Sequence, residues 1–251
     1  MDNSGDIIVF VITSNKKIEY KNTFKIDVPK IRSISTNHKY FGLTYSKLES
    51  KEMKRMLKNV KPSGVLLFKK DNDMISTIFE KELHLNNSMK SPSGLALNDE
   101  FAFVCDRELK CVFKINIDNG QLINKIDLMS DNGEPYECSI NKNYLIITDI
   151  YNHKLRLYDI LTLKNINNLI VKQDDGMNGP FDIYLTENNL VIYKNYKDYQ
   201  LVLTDTDFDE QICFEKISSS IIGFNFFETS NQTLIFGSTS KKSFKLITYY
   251  F

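Results

Sequence analysis

The feature that most constrains this chain is an internal repeat. Pro92-Ser-Gly-Leu-Ala-Leu-Asn-Asp-Glu-Phe-Ala-Phe-Val-Cys-Asp106 and Pro135-Tyr-Glu-Cys-Ser-Ile-Asn-Lys-Asn-Tyr-Leu-Ile-Ile-Thr-Asp149 share five features at the same offsets: a proline, an aliphatic residue, Asn, an aromatic residue and a closing Asp. The two prolines are 43 residues apart. A third copy opens at Pro180, 45 residues further on, with one residue inserted and Asn195 in place of the Asp. Self-similarity at this period indicates stacked supersecondary units, each too small to bury its own apolar faces.

Each copy continues with alternating or apolar runs, Cys111–Ile117 and Gln121–Ile126 in one, Leu155–Ile160 and Asn165–Ile170 in the next. Asp118-Asn-Gly120 lies between two of these runs and marks a tight hairpin, because Asn and Gly accept the positive φ such turns need. Val, Ile, Tyr and Phe dominate the runs, so each unit reads as four short strands, a to d. Four antiparallel strands every 40 to 45 residues predict an all-β fold, a β-propeller. Blades packed face to face around an axis bury both faces of every sheet, and a closed ring protects the edges.

Ile147-Thr-Asp-Ile-Tyr-Asn-His-Lys-Leu-Arg-Leu-Tyr-Asp159 resembles the core of the NHL repeat, named for its Asn-His-Leu signature. Residues 92–126 resemble a second copy, with Arg107-Glu-Leu-Lys110 in place of Asn-His, and 180–217 a degenerate third. A WD-type signature is excluded because the chain has no Trp. The resemblance implies a single NHL-like propeller domain over 1–251.

Val28 to Leu85 hold another unit with about 20 extra residues between strands b and c. Ile221–Phe227, Leu234–Gly237 and Phe244–Phe251 read as a, b and c without d, while Ile7–Ile12 and Ile18–Ile26 read as c and d. The expectation is therefore five blades, closed by pairing the N-terminal d strand with the C-terminal a, b and c. Six blades with an incomplete first one is the alternative.

The extra segment is the main departure from the repeat. Ser46-Lys-Leu-Glu49 reads as a capping box, and Met53, Met56, Leu57 and Val60 follow at helical spacing, which predicts an amphipathic helix near 46–60. Residues 46–61 carry six basic side chains against two acidic ones. Lys51, Lys54, Arg55 and Lys58 lie on the polar face and are candidate binding residues. Arg107, Tyr151, His153, Tyr196 and Tyr199 join them, because all fall in b–c turns and loops on such scaffolds carry function.

Lys+Arg and Asp+Glu are both 32, so no chain-wide nucleic-acid footprint exists and DNA binding is not expected. The four cysteines, Cys105, Cys111, Cys138 and Cys213, form no CxxC and have no His at ligand spacing, so no metal or cofactor is expected. A disulfide between Cys105 and Cys111 is conceivable across a hairpin; reduced thiols in the cytoplasm are the plainer reading. The opening apolar run Ile7–Ile12 is too short for a signal peptide or a bilayer span. Asp106 and Asp149 read as acceptors for turn amides, and Asp174-Asp175-Gly176 as a turn rather than a calcium loop. No Ser-His-Asp or Cys-His pair can be placed by spacing, so no catalytic residue is assigned.

These readings favour a non-catalytic, monomeric scaffold that binds an acidic protein partner through its b–c/d–a loop face. RNA binding through a basic face is one alternative. A degenerate gluconolactonase-like hydrolase is another, suggested by the family resemblance, although Ser91-Pro-Ser-Gly94 stands where such enzymes carry a metal ligand.

Overall fold

The structure is a computed structural model that describes residues 6–12, 18–25, 31–46, 63–71, 74–83, 85, 88–171, 179–195, 200–216, 221–229, 232–239 and 244–249. Two compact units, Met1–Lys125 and Ile126–Phe251, divide the chain. The first holds β1 (Asp6–Ile12) and β2 (Ile18–Lys25), then β3 (Ile31–Thr36), β4 (Tyr40–Tyr45), β5 (Gly64–Asp71) and β6 (Met74–Leu83), followed by β7 (Pro92–Leu97), β8 (Phe101–Asp106), β9 (Cys111–Asn116) and β10 (Leu122–Asp127), the last reaching the boundary. The second holds β11 (Pro135–Ile140), β12 (Tyr144–Asp149), β13 (Lys154–Asp159) and β14 (Asn165–Ile170), then β15 (Pro180–Leu185), β16 (Leu190–Asn195), β17 (Gln200–Asp205) and β18 (Gln211–Lys216), and finally β19 (Ile221–Thr229), β20 (Gln232–Thr239) and β21 (Phe244–Tyr249).

The fold is an all-β propeller with four complete blades, β3–β6, β7–β10, β11–β14 and β15–β18, each an antiparallel meander. This corrects the expected five or six blades. The N-terminal strands do not supply the missing strand of a C-terminal blade: β1 and β2 form a two-stranded sheet of their own, and β19–β21 a three-stranded one. The reason is local. β1 and β2 are consecutive and pair antiparallel from Asp6↔Lys25 to Ile12↔Ile18, so a short closure forms the hairpin with little loop entropy lost. The described residues contain no α-helix, only a 3₁₀ turn at Met129–Asp131; the segment expected to be helical lies outside them apart from Ser46. No helix among the described residues is long and apolar enough to cross a membrane.

Burial follows strand position within a blade. β8 and β9 are buried along almost their whole length, whereas β10 exposes every residue except Ile126. Middle strands have both faces covered, so they read as apolar runs instead of strict alternations. In the first unit Tyr40, Val65 and Leu67 pack with Leu95, Leu97, Val104, Phe113 and Ile115 in one cluster. Gly42 permits that approach: a Cβ there would stand 2.8 Å from Leu97 and 2.9 Å from Leu67. In the second unit Ile146, Leu155, Leu157, Ile183, Val191 and Tyr193 form the corresponding core.

The repeated Asn and Asp have separate tasks. Asn98 Oδ1 accepts from the amides of Glu100 (3.0 Å) and Phe101 (2.7 Å), and Asn141 Oδ1 from those of Asn143 and Tyr144 (2.9 Å each), closing the a–b turns. Asn141 Nδ2 also donates to the Thr186 carbonyl at 2.9 Å, tying its turn to the next blade. The predicted hairpin turn is present, with Gly120 at φ 70°. Cys111 stands opposite Asp106, and Cys105 opposite Val112. Alternation along the strands therefore sends the two thiols to opposite faces, away from a disulfide.

Candidate functional site

Every inner strand carries a register shift against strand b near its start, as at Pro135/Cys138 and Pro180/Ile183. A bulge of this kind re-aims side chains. Because Pro135 pairs with Asp149, the bulge lies at the end of the blade where the d–a and b–c connections meet. That end is the candidate site.

Asp149 organises it. The side chain is fully buried. Its Oδ1 accepts from the amides of Glu134 (2.9 Å) on the d–a side and Asn152 (3.1 Å) on the b–c side. Its Oδ2 accepts from Asn152 Nδ2 at 2.9 Å and from Arg156 Nε at 2.8 Å and Nη2 at 2.5 Å. Arg156 Nη2 also reaches Asp131, whose carbonyl accepts from Asn152 Nδ2 at 3.1 Å. Gly133 covers the pair so closely that a Cβ would lie 2.8 Å from Asp149 Oδ2. Burial by itself would raise the Asp149 carboxyl; hydrogen bonds from Asn152, the Glu134 amide and Arg156 outweigh it and hold the group below the usual carboxylate range. Burial likewise opposes the charge on Arg156, but its bonds to Asp131 and Asp149 outweigh that and raise its pKa.

Asp106 does the same work one blade earlier. It is fully buried and accepts from the amides of Lys90 (2.7 Å), Ser91 (3.2 Å) and Leu109 (3.0 Å). The reading of both carboxylates as turn acceptors agrees with this geometry. No group of three or more His, Cys, Asp and Glu side chains among the described residues converges as a metal ion would require.

Of the residues singled out from sequence, Tyr151 is exposed at 58% on the b–c turn, and Arg107 is half-buried on the matching turn of the preceding blade. His153 and Lys110 occupy equivalent left-handed positions, φ 52° and 51°. His153 contributes its carbonyl, which accepts from the Val171 amide at 2.9 Å, while its buried Nδ1 makes no hydrogen bond. The turn is held by the side chain of Asn152 instead. Lys51, Lys54, Arg55, Lys58, Tyr196 and Tyr199 lie outside the described residues.

Sequence reasoning missed Arg156, Asp131 and a second ion pair, between a buried lysine and a half-buried carboxylate. Lys194 is 1% exposed, and its Nζ lies 3.7 Å from Asp182 Oδ2. Burial lowers the Lys194 pKa, and Asp182 opposes that shift only in part. In the first and third blades this position of strand b holds a small hydroxyl, and in the second it is Cys105: Thr148 Oγ1 accepts from the Glu137 amide at 2.9 Å and donates to the Phe181 carbonyl at 3.4 Å, and Thr44 Oγ1 accepts from the Ser33 amide and donates to the Ser93 carbonyl at 2.6 Å.

No protein-family model matches the chain, and no curated protein matches it in sequence. Solved structures match it in fold. A putative 6-phosphogluconolactonase from Bacteroides uniformis shares a TM-score of 0.63 at 9% identity, over 99% of this chain and 79% of its own. A streptogramin B lyase shares 0.62 at 12%, over 96% and 79%. Virginiamycin B lyase from Staphylococcus aureus shares 0.57 at 12%, over 96% and 76%. At these identities the likeness shows the propeller fold, and the NHL assignment stays a resemblance.

Proposed function

We propose that the chain is a non-catalytic binding propeller that presents its b–c/d–a rim to an acidic protein partner. The observation that carries this reading is the use made of the two repeated carboxylates. Asp106 and Asp149 are consumed by amides from both kinds of loop, so each rim segment is fixed before any partner arrives. A preorganised rim loses little entropy on binding. Exposed Tyr151 and half-buried Arg107 supply the residue types that anchor interfaces. Lys51, Lys54, Arg55 and Lys58, in the basic segment between strands b and c of the first blade, supply the charge, with His153, Tyr196 and Tyr199 completing the proposed contact set.

Fluorescence anisotropy with a labelled polyglutamate peptide and a labelled single-stranded RNA tests the proposal. The native chain binds the acidic peptide in a salt-sensitive manner, and reversing the four basic residues to Glu weakens it by at least about tenfold, mainly through the association rate. Unchanged affinity at low salt overturns the role of the segment. RNA binding without peptide binding overturns the protein-partner reading.

A further inference from the structure

Strand β14 reads Asn165-Ile-Asn-Asn-Leu-Ile170, three asparagines in six residues, a type that strands ordinarily avoid. It is the outer strand of its blade, with β13 on one side and, among the described residues, no strand on the other. Such an edge is a template for pairing with another chain. Ile166 and Ile170, 51% and 63% exposed, add apolar surface to it. The register shows which backbone groups lie open. The Val171 amide donates to the His153 carbonyl at 2.9 Å, while Leu155 pairs with Leu169 and Leu157 with Asn167. In an antiparallel ladder alternate residues turn their amide and carbonyl to the partner strand. Residues 167, 169 and 171 therefore face β13, and Asn168 and Ile170 turn theirs to the open edge. A second copy laid antiparallel and centred on Asn168 would exchange hydrogen bonds at that residue and set each Ile166 against the other copy's Ile170. The edge complements itself.

That pairing is obstructed at its centre. The Asn168 amide donates to Asn167 Oδ1 at 2.9 Å, within its own strand. Asn167 is held in this orientation because its Nδ2 donates to the Asp207 carbonyl of the next blade at 2.9 Å. The Asn168 side chain is tied in turn to Asn165 by two reciprocal bonds, 2.8 and 3.1 Å. The preceding blade repeats the arrangement on its outer strand, where the Lys125 amide donates to Asn124 Oδ1 at 2.8 Å and buried Ile126 corresponds to Leu169. In the first blade the register puts Lys81 where Asn167 stands, and lysine is itself a residue that blocks edges.

We propose that Asn167 guards the outer edge of the third blade: its side chain occupies the central donor of β14 and so keeps the chain from pairing edge to edge with a second copy of itself. Asn124 is the corresponding guard of β10. A strand former at either position would suit the local backbone better, and the asparagine is explained by the pairing it prevents. The guard is separate from the rim proposed above, and it stands or falls independently.

The test uses the full chain. Hydrogen exchange followed by NMR in the native protein should find the Asn168 amide exchanging at least about tenfold more slowly than the Ile170 amide on the same edge. Asn167→Val then removes the acceptor and keeps strand propensity. Sedimentation velocity over rising concentration should show this variant dimerising at a concentration at least about tenfold below any at which the native chain does, with its melting temperature showing that it folds. Adding Ile170→Lys to the variant should restore the monomer, because the charge falls opposite Ile166 in the pairing. The proposal is overturned if the native Asn168 amide exchanges as fast as that of Ile170, if the folded Asn167→Val chain stays as monomeric as the native one, if its association survives Ile170→Lys, or if the native chain is itself a dimer that Ile170→Lys dissociates. Where Asn167→Val does not fold, the exchange comparison in the native chain decides.

Discussion

Replacing Arg156 with Met isolates the interaction that joins the d–a and b–c loops of the third blade. The substitution keeps most of the side chain's apolar length in a site where Arg156 is 8% exposed, so little packing volume is lost. What disappears is a guanidinium giving two hydrogen bonds to the fully buried Asp149 and one to Asp131. Breaking a buried pair from one side costs about 3–5 kcal/mol, because the remaining charge is left without its counter-ion. Asp149 keeps the Glu134 and Asn152 amides and Asn152 Nδ2, which places the expected loss near the lower end, about 3 kcal/mol. The Asp131 arm is 41% exposed at the carboxylate and adds less than about 1 kcal/mol. For a chain of this size about 3 kcal/mol lowers the melting temperature by roughly 6–12 °C. The measurement is chemical denaturation of the native chain, Arg156→Met, Asp149→Asn and the double variant. The double variant should lose clearly less than the two single losses together, with a coupling above about 1.5 kcal/mol. Additive losses, or a single-variant loss under about 1 kcal/mol, refute the argument that this pair fastens the loops.

The same carboxylate sets a pH dependence. Its folded pKa lies below its unfolded value, so its stabilisation is complete above the unfolded value of about 3.9 and is lost as pH falls through the lower folded value; acid titrations of the native chain and Asp149→Asn should converge below about pH 4, and parallel curves contradict this. Gly133→Ala should destabilise by about 1–3 kcal/mol, since its Cβ would lie 2.8 Å from Asp149 Oδ2 and 3.0 Å from Leu128 Cβ; a melting temperature equal to the native one refutes the close approach. Gly42→Ala should cost a similar amount by driving blades apart at Leu67, Leu95 and Leu97, which near-ultraviolet circular dichroism and melting would register. Phe103→Ala, at a fully buried position in the middle of its blade, should cost about 3–5 kcal/mol in denaturant, and a loss under about 1 kcal/mol refutes its place in the core.

The strands were legible in the sequence because each carries its own evidence. Asn165–Ile170 matches β14 end to end, and the Asp118-Asn-Gly120 turn closes as its residues require. Asn98, Asn141, Asp106 and Asp149 were visible through the repeat, and the structure supplies their bonding partners. The blade count was not legible, because a strand's alternation shows that it pairs and not with which neighbour. Pairing Ile18–Ile26 with a C-terminal blade joins segments some 200 residues apart, whereas β1 offers a partner next door.

The buried ionic residues were hidden for a related reason. Leu155-Arg-Leu157 reads as a strand with a solvent-facing Arg156, and Tyr193-Lys-Asn195 as one with a solvent-facing Lys194. That inference holds for a sheet with one wet face. In a propeller blade strands b and c have both faces covered, so a charged residue at the polar phase of the alternation meets another element, and it persists only with a counter-charge. Arg156 has Asp149 and Asp131; Lys194 has Asp182. A usable signal was nonetheless present. Once the repeats are aligned, a position filled by Thr44 and Thr148 in two blades and by Lys194 in another cannot owe the lysine to the fold. The same comparison sets Tyr136-Glu137 and Phe181-Asp182 against Ser93-Gly94. In a repeat scaffold, agreement between copies reports what folding needs, and local disagreement between neighbouring copies marks positions that the repeat itself does not fix.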